Sequence, residues 1–470
     1  MTCYTYKWLQ NLHESFDACD INDGAVLSFH HHLRNGDAIM KKVLDVASQR
    51  KLKGLGIAMS SIFPVHAPME EYIQTGLISK IWTGYINGPV SAPITSHKLS
   101  HPVTIQSHGG RARAIEAGDL KIDVAFVAAP CADQQGNLTG ALGPSACGPL
   151  GYPMVDAKYA THCVGLIDHI SNTPLPMAEI PHTQLDYLIK VDNIGDSKGI
   201  VSGTTRASQH PDDLKIAQMV SEVILASGLM KDGFSFQTGA GGISLASVSA
   251  IGQKMRTHNV KGSFISGGIC KSHVDLVYTG LFDKIYDVQC FDHDAVASFA
   301  RDRWHHPMSA RQYASPLCSD NIVDQLDVTI LGATQIDVDF NVNVTTAGNG
   351  QIIGGPGGHP DTSEGAKLTI ITTKLTGGGF AKIVENVHTI TTQGKHVDVL
   401  ICEEGIAVNP TNTELLERLR THHLNPLDIH ELIDKAQKQA THQSVAKGEG
   451  AIVATVENRH GDFIDVIRTT

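Results

Sequence analysis

The segment Thr75-Gly-Leu-Ile-Ser-Lys-Ile-Trp82 recurs as Thr279-Gly-Leu-Phe-Asp-Lys-Ile-Tyr286, a shift of 204 from position 75 to position 279, with five of eight positions identical. The same shift carries Ile122-Asp-Val-Ala-Phe126 onto Leu326-Asp-Val-Thr-Ile330, Asp133 onto Asp337 and Asn137 onto Asn341. A shift of 207 carries Ser28-Phe29 onto Ser235-Phe236 and the stretch 56–62 onto 263–269, and a three-residue difference in one loop reconciles the two shifts. A chain repeated on this scale must bury two copies of one structural unit.

The unit is legible from its apolar runs. VAFVAAP, VTILGA, DYLIKV and DVLICEE are short, rich in β-branched residues and closed by Gly, Pro or Asp, as buried strands are. Helical spacing lies between such runs. From Pro211 to Leu229, Leu214, Ile216, Met219, Val220, Val223 and Ile224 share a face behind an acidic first turn, and the pattern closes at Gly228. The fold class expected is therefore α/β: two similar open α/β domains with mainly parallel sheets, related by a pseudo-twofold axis. The first spans 1–210 and the second 211–470, with Gly199, Gly203 and Pro211 as breakers between them. Clefts in such folds form where strand C-terminal ends and glycine turns meet.

Charge and cysteine usage narrow the function. Lys plus Arg number 37 against 48 Asp plus Glu, a net charge of −11, so the overall field repels polyanions such as nucleic acids and any anionic ligand must be held by local groups. The nine cysteines are single, with no CxxC pair, and MTCYTYKWLQ lacks a signal-peptide profile; a reduced, cytoplasmic protein is expected. No apolar run approaches the roughly 20 residues that span a bilayer.

Glycine is dense at Gln237-Thr-Gly-Ala-Gly-Gly242, Ser266-Gly-Gly-Ile269, Gly354-Gly-Pro-Gly-Gly-His359, Gly377-Gly-Gly379 and Ser107-His-Gly-Gly110. Such loops let backbone N–H groups approach a phosphate or a developing oxyanion, but they also serve as plain tight turns, and neither GxGxxG nor GxxxxGK[ST] is present. Ser28-Phe-His-His-His-Leu-Arg-Asn-Gly-Asp37 places imidazoles and a guanidinium at a strand-to-helix turn suited to a carboxylate or phosphate. Adjacent histidines on a strand face opposite ways, which disfavours a metal site there. Arg111, Arg113, Arg206 and Lys271 are further cations, each equally at home on a solvated surface. Cys131, Cys147, Cys270 and Cys402 have no sequence-local base, and Glu403-Glu404 end a strand where a carboxylate would reach a cleft rim or simply solvent.

DVAFVAAPCADQQGN in one half and DVTILGATQIDVDFNVN in the other resemble the paired halves of CoA-transferases, and SFHHHLRNGD, QSHGGR, GFSFQTGAGG, FNVNV, GGHPDT and GIAVNP resemble the family of citrate lyase α chains. The similarity runs from about residue 20 to the C-terminus, with a shortened N-terminal extension. CoA-transferases that form a glutamyl thioester carry Ser-Glu-Asn-Gly where this chain reads Ser266-Gly267-Gly268-Ile269, so the nucleophilic carboxylate is absent. The resemblance implies acyl exchange in a ternary complex, with acetyl on an acyl carrier's thioester replaced by citryl. Under it, Gly239, Gly241, Gly242, Ser266, Gly267 and Gly268 are the oxyanion candidates, and His30, His31, Arg34, Arg111 and Arg206 the citrate-binding candidates. Gly355, Gly357, Gly358 and His359 are candidates for the carrier's prosthetic arm.

The resemblance further implies no covalently bound cofactor, a CoA-like prosthetic group or acetyl-CoA as thioester source, and no metal on this chain. The implied partners are a lyase (beta) subunit, a carrier (gamma) subunit, citrate and further copies of the chain, with no nucleic acid and no membrane. Alternatives are a citramalate lyase α chain, a generic acetyl-CoA-dependent CoA-transferase and, from another class, a non-catalytic ligand-binding scaffold.

Overall fold

The structure is a computed structural model that describes residues 6–30, 32–201 and 205–469. Two large sheets carry the same seven-strand order. In the first, Tyr187–Lys190, His162–Ser171, Val124–Asp133, Val26–His30, Leu55–Met59, Ile78–Thr83 and Val103–Gln106 lie side by side, every pair parallel. In the second the corresponding strands are Val399–Cys402, Leu368–Thr372, Val328–Gly332, Ser235–Thr238, Gly262–Ile269, Phe282–Cys290 and His305–Pro307, again all parallel. The repeat in sequence is thus a repeat in topology. Val124–Asp133 is buried at all ten positions, as a central parallel strand covered on both faces must be.

The aligned polar residues have the same work in each half. Asp123 Oδ2 accepts from Val26 N at 2.7 Å, and Asp327 Oδ2 accepts from Ser235 N at 2.9 Å, pinning the start of each central strand. Asp133 Oδ1 accepts from the N–H groups of Gln135 and Asn137, and Asp337 Oδ1 from those of Asp339 and Asn341, so each pair closes one tight turn.

The second unit expected at 211–470 requires a correction. Ile452–Glu457 pairs in parallel with Val103–Gln106, and Phe463–Arg468 pairs antiparallel with Ile452–Glu457, so the end of the chain extends the first sheet. The intervening turn returns to the second half: Arg459 meets Asp324 at 2.8 Å and Glu364 at 3.0 Å. Neither strand was singled out in the sequence, and nothing local to them marks the distant edge at which they pair. The helix expected from Pro211 runs Pro211–Ala226, and Gly228 ends it with φ +78°. It buries Ile216, Val220, Val223 and Ile224, while Leu214 is left exposed. An apolar core extends through both halves, and a smaller one lies beneath residues 331–436. No helix among the described residues is long and apolar enough to cross a membrane.

Candidate active site between the two sheets

Loops at the C-terminal ends of strands from both sheets enclose a cavity of about 480 Å³. The first half contributes Arg34, Phe63, Tyr85, His108 and Tyr152. From the second come the 239–244 segment, Phe291, Tyr313, the 332–334 turn and Lys382. No carboxylate and no thiol lines the cavity among the described residues. Its charged groups are cations, an arrangement that receives an anion.

Arg34 begins a short 3-10 turn with φ +55°, just before the helix Ile39–Gln49. Its guanidinium lies 5.2 Å from the centroid of the Phe63 ring and 4.9 Å from that of Phe291, one ring from each half. Burial lowers its pKa to about 10, which still leaves it charged at neutral pH. On the opposing half, burial pulls the Lys382 ammonium down to about 8.

The remaining polar wall is neutral. Gln237 Nε2 donates to Tyr313 Oη at 2.7 Å, and Ser266 Oγ donates to Gln237 Oε1 at 2.9 Å. Burial pushes the Tyr152 and Tyr313 phenols up, so both keep their protons at neutral pH, and it drops His108 to about 3, so that imidazole stays uncharged. Behind the wall, Cys290 Sγ and His305 Nε2 lie 3.1 and 3.0 Å from Asp287 Oδ2, and His305 Nδ1 meets Ser298. Their potential metal-ligand atoms lie within 4.8 Å of one another, yet the hydrogen bonds already close this group into a buried support for the 288–291 wall.

The sequence candidates fall into two sets. Gly239, Gly241, Gly242, Gly268, Gly355, Gly357, Gly358, His359 and Arg34 reach the cavity. Gly241 caps the helix Gly242–His258 without any side chain in the way, so the first-turn N–H groups of Gly242, Ile243 and Ser244, which lack partners further back in the helix, adjoin the cavity. Gly239 does not offer its N–H, which is given to Ile330 O at 2.8 Å. Gly357 N is likewise committed to Gly84 O, and His108 N to Gly357 O. A Cβ on Gly355 would overlap the Gly84 carbonyl, and one on Gly358 the Tyr313 hydroxyl. Gly355 thus lets a loop of the second half pack directly on the first, while Gly358 makes room for a ring of its own half. His359 is held at both ring nitrogens, by Thr392 Oγ1 at 2.7 Å and Gly332 O at 3.0 Å, and burial lowers its pKa to about 4, so it is a neutral strut rather than a phosphate-binding cation.

The structure leaves the other described candidates out of the cavity lining. Arg111 is 3% exposed and makes a two-pronged pair with Asp156 at 2.7 and 2.8 Å, away from the cavity. Arg206 is exposed outside it. Ser266 and Gly267 lie in the layer behind; Gly267 has φ +100°, and a Cβ there would sit 2.5 Å from Gln237 Cδ. His30 is buried against Tyr152, with ring centroids 4.3 Å apart. His31 lies outside the described residues. Sequence reasoning missed Lys382, Tyr152, Tyr313, Gln237 and the Phe63–Phe291 pair. The glycines at 377–379 flag the turn before Lys382, and Gln237 stands inside a noted glycine loop. The aromatic residues carried no local signal.

Two sheets of one strand order, with strand ends from both walling an anion-receiving cleft, define a duplicated α/β enzyme of CoA-transferase-like fold. The family model described as "Citrate lyase, alpha subunit" matches residues 5–470, and the chain belongs to that family. It is 40% identical over 461 residues, 98% of this chain and 90% of the relative, to the citrate lyase alpha chain of Escherichia coli (strain K12). A solved structure from Streptococcus mutans, described as the citrate lyase alpha subunit in complex with citrate, superposes with a TM-score of 0.96 at 40% identity, covering 100% of this chain and 92% of that one. The malonate decarboxylase alpha subunit of Acinetobacter baumannii shares the fold alone, with a TM-score of 0.67 at 15% identity over 94% of both chains.

Proposed function

We propose that this chain is the transferase subunit of citrate lyase, exchanging acetyl for citryl on a thioester without an acyl-enzyme. One observation carries the second half of that reading: the cavity is lined by cations and neutral donors but by no carboxylate or thiol among the described residues. A Cβ at Gly268 would overlap the Phe291 ring, and one at Gly267 would press on Gln237, so neither position accommodates a glutamate. The substrate must supply its own nucleophile.

In the first step a citrate carboxylate oxygen attacks the acetyl carbonyl carbon, the C–S bond breaks, and a citryl-acetyl anhydride and a thiolate form. The thiolate then attacks the citryl carbonyl carbon, the C–O bond to the bridging oxygen breaks, and acetate leaves with that oxygen. Both tetrahedral intermediates carry an oxyanion. The N–H groups of Gly242, Ile243 and Ser244 at the helix N-terminus are suited to it, while Arg34 orients a spectator carboxylate. The thioester is carried by the CoA-like prosthetic group of a carrier subunit or by acetyl-CoA. The chain then works in the cytoplasm, within a complex of beta, gamma and repeated alpha subunits.

The test is a single turnover with acetyl-carrier and carboxylate-18O citrate. The expected products are citryl-carrier and 18O-containing acetate, with no added mass on this chain. An acetylated protein species, or first-turnover acetate whose oxygen comes from the enzyme, overturns the mechanism.

A further inference from the structure

Lys382 is placed unlike a surface lysine. Its backbone is pinned on both sides: its N–H donates to Leu375 O and its carbonyl accepts from Ile336 N, both at 2.8 Å. The side chain runs past Gly377, where a Cβ would sit 3.0 Å from Lys382 Cδ, so the glycine leaves room for the stem on its way to the cavity. The two acids that act on its charge also bond other groups. Glu403 accepts from Leu375 N through both carboxylate oxygens at 3.1 Å, and Asp213 pairs with Lys374 at 3.0 Å. Lys382 itself takes part in no ion pair among the described residues.

A three-carboxylate acid that attacks with one carboxylate has two others to be held, and the cavity offers two cations, one from each half. We propose that Lys382 is a specificity-determining residue that holds the carboxylate by which a tricarboxylic hydroxy acid exceeds a dicarboxylic one, Arg34 holding the other spectator. This deepens the transferase reading and rests on it. The groups that face the ammonium are Glu403, Asp213 and Lys374; the two acids favour its charge and Lys374 opposes it, while burial, the largest influence, brings its pKa to about 8. Affinity for a tricarboxylate should therefore decline as pH rises through that value.

The experiment measures citrate and citramalate binding to the full chain by calorimetry, and turnover with acetyl-carrier, for wild type, Lys382→Met and Lys382→Arg. Lys382→Met should weaken citrate binding about 10- to 100-fold, as expected for the loss of a hydrogen bond between charged groups. Citramalate affinity and the KM for acetyl-carrier should stay within about twofold. Lys382→Arg should restore citrate binding and remove the decline above pH 8. Equal losses for citrate and citramalate, unchanged citrate binding in Lys382→Met, or the same alkaline decline in Lys382→Arg would each overturn the assignment. Wild-type citrate binding without turnover would instead count against the transferase reading, and the binding series would still decide the role of Lys382.

Discussion

Arg111→Met separates two uses of an arginine, gripping a substrate or holding a fold. The guanidinium donates through Nη1 and Nη2 to the two oxygens of Asp156 and reaches Ala58 O at 3.3 Å, with side-chain exposures of 4% for Arg111 and 2% for Asp156. Removing it strands a carboxylate with almost no access to water, which costs about 3–5 kcal/mol of stability. A lower urea midpoint is expected, and Arg111→Met/Asp156→Leu should recover most of the loss, because the second substitution removes the unpaired charge. The folded fraction of Arg111→Met should keep its citrate KM within about twofold, since neither partner reaches the cavity. An unfolding curve like that of wild type together with a tenfold higher citrate KM would refute this reasoning and return Arg111 to the substrate.

Phe291→Ala removes one of the two rings over Arg34 and should weaken citrate binding about 2- to 30-fold, the range for a desolvated cation–π contact of about 0.5–2 kcal/mol; unchanged calorimetric affinity would show that the ring does not position the guanidinium. Burial raises Asp361 from 3.8 to about 7, so the folded chain holds a proton that the unfolded chain releases. That contribution to stability is complete below 3.8 and is lost as pH rises through about 7; Asp361→Asn should remove this part of the slope, and identical urea midpoint profiles for both proteins from pH 4.5 to 7.5 would exclude it. Arg459→Ala deletes the hydrogen bond to Asp324 and the ion pair with Glu364 that tie the final hairpin to the second half, and should cost about 1.5–3 kcal/mol with faster proteolysis after residue 440; an unaltered digestion pattern would argue that pairing with Val103–Gln106 alone secures the hairpin.

How far the site was legible depended on how its residues report themselves. Glycines at strand ends mark close approaches, and the 239–242, 268 and 355–358 glycines do line the cleft. What each glycine does there was not legible: Gly241 leaves a helix end bare toward the cavity, Gly355 makes room for the opposite half, and Gly358 makes room for Tyr313 of its own half. Among the cations, nothing local to Arg111 announces that Asp156, 45 residues on, pairs with it. Lys382 passed unnoticed for the converse reason. The bonds of Glu403 to Leu375 N and of Asp213 to Lys374 leave it without a closed ion pair among the described residues, and both are set by residues distant in sequence.

The sequence by itself determined the duplicated α/β plan, because strand burial, turn-closing aspartates and the repeat at a shift of 204 are written locally in each half. It also determined that glycines, not a glutamate, stand at 267 and 268. Only the tertiary structure decided which charges face the cavity, since a side chain's role there follows from whether its nearest opposite charge lies in the protein or must come from a ligand. It likewise decided where the last hairpin docks. Sheet extension depends on an edge more than 340 residues away, and strand pattern specifies that a strand will pair without specifying with what.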